Sequence, residues 1–434
     1  AAATVYNVTV NAIPSSPVVT NQSQTICQGD AFVTPTTSGT ALQWYSDAGL
    51  TSAIATVDPA NPTNAELGFS NAVAGVTTVY VTQTVSGCAS ASTAVSLTVN
   101  GLPSPTISGD NAVCDGDTGV VYTTEGGQSN YAWVVSAGGT ITSGGGAGDN
   151  TVTVTWAGAG ARTVAVNYEN ASGCDAAAAT VYNVTVNAIP SSPVVTNQSQ
   201  TICQGDAFVT PTTSGTALQW YSDAGLTSAL ATVDPANPTN AELGFSNAVS
   251  GVTTVYVTQT VSGCASVATA VSLTVNGLPS PTISGDNAVC DGDTGVVYTT
   301  EGGQSNYAWV VSAGGTITAG GGAGDNTVTV TWAGAGARTV AVNYENASGC
   351  DAAAATVYNV TVNAIPSSPV VTNQSQTICQ GDAFVTPTTS GTALQWYSDA
   401  GLMSALATVD PANPTNEELG FSNAVSGVTT VYVT

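Results

Sequence analysis

The residues of this chain whose types and spacing could do chemistry are nine cysteines and a few aspartates set in glycine turns. The cysteines stand at 27, 88, 114, 174, 203, 264, 290, 350 and 379, each following Ser-Gly or opening a C-x-G-D sequence. None falls in a C-x-x-C pair and the chain has no histidine, so the ligand set of a zinc site is missing. Regular spacing points instead to a disulfide framework and an oxidising, extracellular setting. Asp115 with Asp117, and the copies Asp291 with Asp293, are paired carboxylates of the kind that glycoside hydrolysis uses. With Asp30, backbone carbonyls and water they could also assemble the oxygen ligands of calcium. The same residues suit plain turn formation, because Asp and Gly are favoured where the chain reverses. Calcium at Asp115, Asp117, Asp291 and Asp293 is therefore a candidate, and no other cofactor is expected.

What is absent narrows the chemistry further. With 0 histidines and no lysine there is no imidazole base, no Schiff base and no Ser–His arrangement. The expectation is a protein that is not an enzyme. Lysine-dependent isopeptide cross-links are excluded by the same absence, which leaves cysteine as the means of covalent reinforcement. The only basic residues are Arg162 and Arg338 in a chain of net charge −25. Nucleic acid and anionic membrane surfaces are poor partners for such a chain, since phosphate binding needs clustered Lys or Arg. A solvated acidic surface that keeps neighbouring chains apart is the simpler reading. No apolar run approaches the roughly 18 residues of a membrane span, so no membrane insertion is expected. Asn7, Asn21 and Asn170 fit N-x-S/T but read as ordinary surface asparagines.

These residues are positioned by a repeat. TICQGDAFVTPTTSGTALQWYSDAGL begins at Thr25 and returns at Thr201 and Thr377, so the interval is constant (201 − 25 = 377 − 201 = 176). One period differs from the next at Ile54/Leu230, Ala74/Ser250, Ala91/Val267, Ser92/Ala268 and Ser143/Ala319. A fixed period of this length marks an array of repeated units. Each period has two related halves, entered through NAIPSSP (from Asn11) and NGLPSP (from Asn100), where proline stiffens a short connection. The first half holds Cys27, Trp44 and Cys88, and the second holds Cys114, Trp133 and Cys174. VTVTW and TVYVTQTV have the pattern of half-buried strands, and SGGGAGDN and DPANPTN are turn clusters. No stretch carries helical periodicity with caps. Short strands in units of this size predict β-sandwiches, with Trp44, Trp133, Trp220, Trp309 and Trp396 as core anchors. An alternative role for these tryptophans is an exposed stacking platform for sugars.

The first half, with CQGD, LQWYSDAG and TTVYVTQTVSGCAS, resembles the Ig-like modules of secreted and cell-surface proteins of Bacteroidota. The second half, with CDGD, YAWVVSAGGTIT, VTVTW and NASGC, resembles the PKD-like sandwich modules of the same proteins. The resemblance implies an all-β, linear array of alternating Ig-like and PKD-like modules, exported by the type IX route, with no catalytic residues. In order these are the last strand of a preceding PKD-like module (1–12), Ig-like A1 (13–100), PKD-like B1 (101–188), Ig-like A2 (189–276), PKD-like B2 (277–364) and a truncated Ig-like A3 (365–434). The strand-like opening AAATVYNVTVN and the closing TTVYVT suggest a window of a longer chain. The expected role is a non-enzymatic structural region of an extracellular filament or adhesin stalk. Neighbouring modules, or copies of the same protein in a fibre, are the expected partners. The rivals are a glycan- or cell-binding repeat acting by avidity, and an accessory region of a larger secreted enzyme. An arbitrary cut in a continuous polymer explains the two ends. The alternative is that the leading strand completes the open module of a second copy, although the ends belong to different module types.

Two disulfide schemes are open. Pairing within modules gives Cys27–Cys88 and Cys114–Cys174. An Ig-like topology, however, sets those positions about a strand length apart, roughly 30 Å, against the 4.4–6.8 Å or so that a bridge spans. It favours Cys27–Cys174, Cys114–Cys264 and Cys203–Cys350 across modules, leaving Cys88, Cys290 and Cys379 to pair outside these residues.

Overall fold

In a computed structural model of the chain, residues 2–434 are described, and they form strands, turns and no helix. Two compact units are present. One comprises Ala1–Ser199, Val209–Phe245 and Thr254–Ser272, the other Gln200–Phe208, Ser246–Thr253 and Leu273–Thr434.

The first half of the repeat folds from β1 (Val18–Thr20), β2 (Ser23–Cys27), β3 (Thr36–Ser38), β4 (Leu42–Tyr45), β5 (Gly75–Val85), β6 (Cys88–Ala89) and β7 (Thr93–Asn100). The main sheet has the order β2-β7-β5-β4, β6 adds to β5, and β1 pairs with β3. Alternation along β7 turns Val95, Leu97 and Val99 inward, where they meet Trp44, Val79 and Val81 with Leu67 and Phe69 from the long loop. Trp44 is 1% exposed, and its indole N–H donates to the carbonyl of Pro59. A buried indole must find such a partner.

The second half comprises β8 (Ala112–Cys114), β9 (Val120–Thr123), β10 (Ser129–Val135), β11 (Gly139–Gly144), β12 (Thr151–Trp156), β13 (Gly160–Glu169) and β14 (Thr180–Asn187). A four-stranded sheet, β10-β13-β14-β8, packs on a three-stranded sheet, β11-β12-β9. Strict alternation in VTVTW buries Val152, Val154 and Trp156 against Val164, Val166, Val184 and Val186. The Trp156 indole donates to the Tyr122 hydroxyl at 3.1 Å, and Tyr122 in turn donates to the carbonyl of Asp110. Residues 278–363 repeat this arrangement in the second unit, where Trp332 lies beside Tyr298.

In both halves the opening strand lies parallel to the final strand and in one register. Cys27 stands opposite Asn100, and Cys114 opposite Asn187. The C-x-G-D turn therefore lies at the end where the chain leaves the module.

Two stretches depart from the strand reading, and both show what a strand requires. TVYNVTVN forms β14 at 180–187, between β13 and β8, yet the identical residues 4–11 take no strand. Residues 2–12 take no strand here, residue 1 lying outside the described residues, yet Asn11 donates to the Ser86 carbonyl as Asn187 does to that of Ser262. Residues 4–11 have no β13 or β8 beside them, and Val5, Tyr6, Val8 and Val10 are exposed. SQTIC behaves alike: it is β2 at 23–27, held by β7, but takes no strand at 375–379. Residues 365–434 include no copy of β7.

Replacing Trp156 by Ala should cost about 3–5 kcal/mol by opening a cavity and leaving the Tyr122 hydroxyl oxygen without its donor. Val134→Ala, on the exposed face of β10, should change stability by less than about 0.5 kcal/mol. Urea midpoints of the two variants provide the comparison; equal shifts would contradict this core assignment.

Candidate functional site at the module joints

The nine cysteines sort by position. Three disulfides form: Cys27–Cys174, Cys114–Cys264 and Cys203–Cys350, each with Cα atoms 5.6 Å apart. Each joins the C-x-G-D turn of one half-repeat to the Ser-Gly-Cys turn of the next. Cys88, Cys290 and Cys379 carry free thiols.

The first partner is held by its own turn. In CDGD the Asp117 carboxylate accepts the Cys114 amide at 2.6 Å, while the Asp117 amide donates to the Cys114 carbonyl. Gly116, at φ +90°, supplies the left-handed residue such a tight reversal needs. Asp115 accepts the amide of Gly158 at 2.7 Å, tying the turn to the loop after β12. Asp291 and Asp293 repeat both bonds with Gly334 and Cys290, and Asp30 accepts the amide of Cys27. Each of these carboxylates, candidates from the sequence for calcium or for acid–base work, accepts a backbone amide. Among the described residues no group of three or more His, Cys, Asp or Glu is gathered to hold a metal ion.

The second partner is buried: Cys174 and Cys350 are 0% exposed and Cys264 1%. Its turn also grips the incoming linker. The Asn170 side chain accepts the amides of Ser172 and Cys174 and donates to the carbonyl of Gly101 at 2.8 Å. Asn346 does the same with Gly277. Asn170, read from the sequence as a surface residue, is thus a half-buried fastener of the joint. Its own clue was position, four residues before the cysteine in both copies. At the next joint Asn187 donates to the carbonyl of Ser262 at 3.3 Å. The proline linkers are pinned to the final strands as well, Thr93 donating to the Pro17 carbonyl and Thr180 to that of Pro105.

Glu125 fixes the linker that enters the second half. Burial pushes its carboxyl up, but hydrogen bonds from the Thr106 hydroxyl and amide and from the Thr124 hydroxyl outweigh that, holding it down to about 2. Tyr168 donates to the same carboxylate, and burial together with that contact raises its phenol. Glu301 repeats the arrangement, also at about 2.

The five tryptophans singled out from the sequence are all buried: Trp44, Trp220 and Trp396 in LQWY, Trp133 and Trp309 in YAW. Trp156 and Trp332 were not singled out, though the alternation in VTVTW places them on the buried face.

Residues 102–184 and 278–360 match the PKD-like domain. Both stretches resemble that domain. No curated protein matches the chain. Among solved structures, an ICAM-5 D1–D4 ectodomain fragment is 11% identical, over 80% of this chain and 100% of that one, with a TM-score of 0.30. The human desmocollin-1 ectodomain is 10% identical, over 80% and 79%, with a TM-score of 0.24. Protocadherin gamma B2 cadherin domains 3–6 are 12% identical, over 80% and 99%, with a TM-score of 0.26. At these scores nothing is transferred from those proteins.

Two outcomes test the joint. Alkylation of the unreduced, denatured chain should modify three cysteines, at 88, 290 and 379, and reduction should raise the number to nine. Cys27 and Cys88 recovered in one bridged peptide would contradict the arrangement. For Glu125 and Glu301, a carboxyl held below its ordinary 4.5 contributes stability that is fully present above pH 4.5. That contribution drains away as pH falls toward about 2. The double variant Glu125→Gln with Glu301→Gln should therefore melt lower at neutral pH and show a flatter melting profile between pH 5 and 2. Coincident profiles would contradict the role.

Proposed function

We propose that this chain is a non-enzymatic structural repeat region of an extracellular filament or adhesin stalk, in which each folded half is covalently clamped to the next. The proposed modules are residues 13–100, 101–188, 189–276, 277–364 and 365–434. The observation that carries the reading is the placement of the three disulfides: all lie between consecutive halves, on either side of a proline linker. A bridge inside a sandwich stabilises that sandwich. A bridge across a linker stiffens the join, which is of use to a long array rather than to an isolated domain.

Supporting observations agree. Disulfides persist in oxidising compartments, which favours an extracellular location. The carboxylates with catalytic potential each accept a backbone amide within or beside their turns. The charge of −25 gives chains of this kind mutual repulsion, so contacts made along an array are favoured over indiscriminate clumping. Origin in Bacteroidota and export by the type IX route follow from the resemblance of the motifs. The partners of the array are its own neighbouring modules or further copies.

Electron microscopy of the purified chain, oxidised and reduced, tests the function. The expected result is slender particles of uniform width whose bending between modules increases on reduction, while far-UV circular dichroism stays that of folded β-sandwiches. Compact particles, or bending unaffected by reduction, would sink the proposal.

A further inference from the structure

The disulfides do more than lie between modules: their loops overlap. The first closes 27–174, the second 114–264 and the third 203–350, so each bridge begins inside the loop of the one before. A covalent route from Cys27 to Cys350 therefore need not follow the chain. It crosses the first bridge to Cys174, follows the backbone to Cys203, and crosses the third bridge. The backbone it traverses is short (203 − 174 = 29), where the chain itself takes far more (350 − 27 = 323).

We propose that this short route gives the chain a second function, as an extension limiter: under tension the load passes to the disulfide ladder before the sandwiches can be drawn out. The proposal rests on the structural role given above and adds where the force goes. A fully extended residue spans about 3.3–3.6 Å, so the short route reaches roughly 100 Å and the backbone alone roughly 1,100 Å. The limited length is of the same order as one folded pair of modules, since a strand of about ten residues rises roughly 33 Å and two modules end to end span about twice that or somewhat more. Even with every hydrogen bond between Cys27 and Cys350 lost, the oxidised segment has little length to give. The bridge Cys114–Cys264 lies on a parallel route and takes over when the first is cut. From position 27 the shortest path then follows the chain to Cys114 (114 − 27 = 87) and crosses to Cys264. It returns along the backbone to Cys203 (264 − 203 = 61) and crosses to Cys350.

Within-module pairing could not do this. Bridges 27–88 and 114–174 would enclose separate, non-overlapping loops, and pulling would still extend all the backbone between them. The overlap is what matters.

Single-molecule pulling of the full chain, held through non-thiol tags at its two ends, is the test. The fully unfolded oxidised chain should be shorter than the reduced chain by the difference between ladder and backbone (323 − 29 = 294), on the order of 1,000 Å of contour. Cys27→Ser should lengthen the oxidised chain by the difference between the two routes, on the order of 400 Å. Cys114→Ser should leave it unchanged, because the shortest route does not use that bridge. Equal oxidised and reduced lengths, or a gain in the Cys114→Ser chain as large as in the Cys27→Ser chain, would overturn the limiter. A chain that meets these lengths but gives compact particles in the microscope would overturn the filament reading and keep the ladder, so the two failures are distinguishable.

Discussion

The parallel pairing of each module's opening strand with its final strand is the constraint on which the rest depends. Antiparallel neighbours would send the opening strand's C-terminus back toward the module's leading end. Because β2 runs with β7 and β8 runs with β14, the turn that follows emerges beside the outgoing linker. That single choice of direction delivers Cys27 and Cys114 to the joint. The Asp of C-x-G-D locks the turn by capping the cysteine amide, and the Ser-Gly-Cys turn of the following module supplies a buried sulfur to meet it.

The acidic composition acquires a structural meaning. Asp47 accepts the amides of Thr51 and Ser52, Glu66 caps Thr63, and Asp115, Asp117 and Glu125 each take backbone amides in loops and turns. Backbone and hydroxyl donors hold the Asp47 carboxyl down to about 2. A carboxylate is the strongest acceptor available to close a loop, and a chain built largely of loops and short strands uses many of them. The negative charge is thus partly a by-product of how the connections are fastened. Arg162, one of two cations, is used the same way: its guanidinium donates to the Gly158 carbonyl, in space that Gly138 leaves open for want of a Cβ.

Much of this was legible in the residues. Alternation in VTVTW and TVYVTQTV specified strands and their buried faces, the constant interval between copies specified the repeat, and C-x-G-D with Ser-Gly-Cys marked both sides of the joint. Connectivity was not legible from spacing alone, because it depends on strand direction, and a strand's direction leaves no mark on its own sequence. Asn170 was misread for a related reason: the N-x-S motif describes a tripeptide, whereas the residue's work is set by Gly101, distant in sequence. A pattern reports what a segment is suited to pair with, not whether a partner stands beside it, and residues 4–11 take no strand here. TVYNVTVN has one sequence and two outcomes.

That last contrast bears on how such a chain matures. The opening strand of a module, Ser23–Cys27, is made early, and the strand that holds it, Thr93–Asn100, is made last. An emerging module stays unlatched until its last segment arrives, and for that interval Cys27 is closer along the chain to Cys88 and Cys114 than to Cys174. Oxidation that outran folding would trap those nearer pairs. Correct maturation therefore requires that the sandwiches close first and the thiols react afterwards.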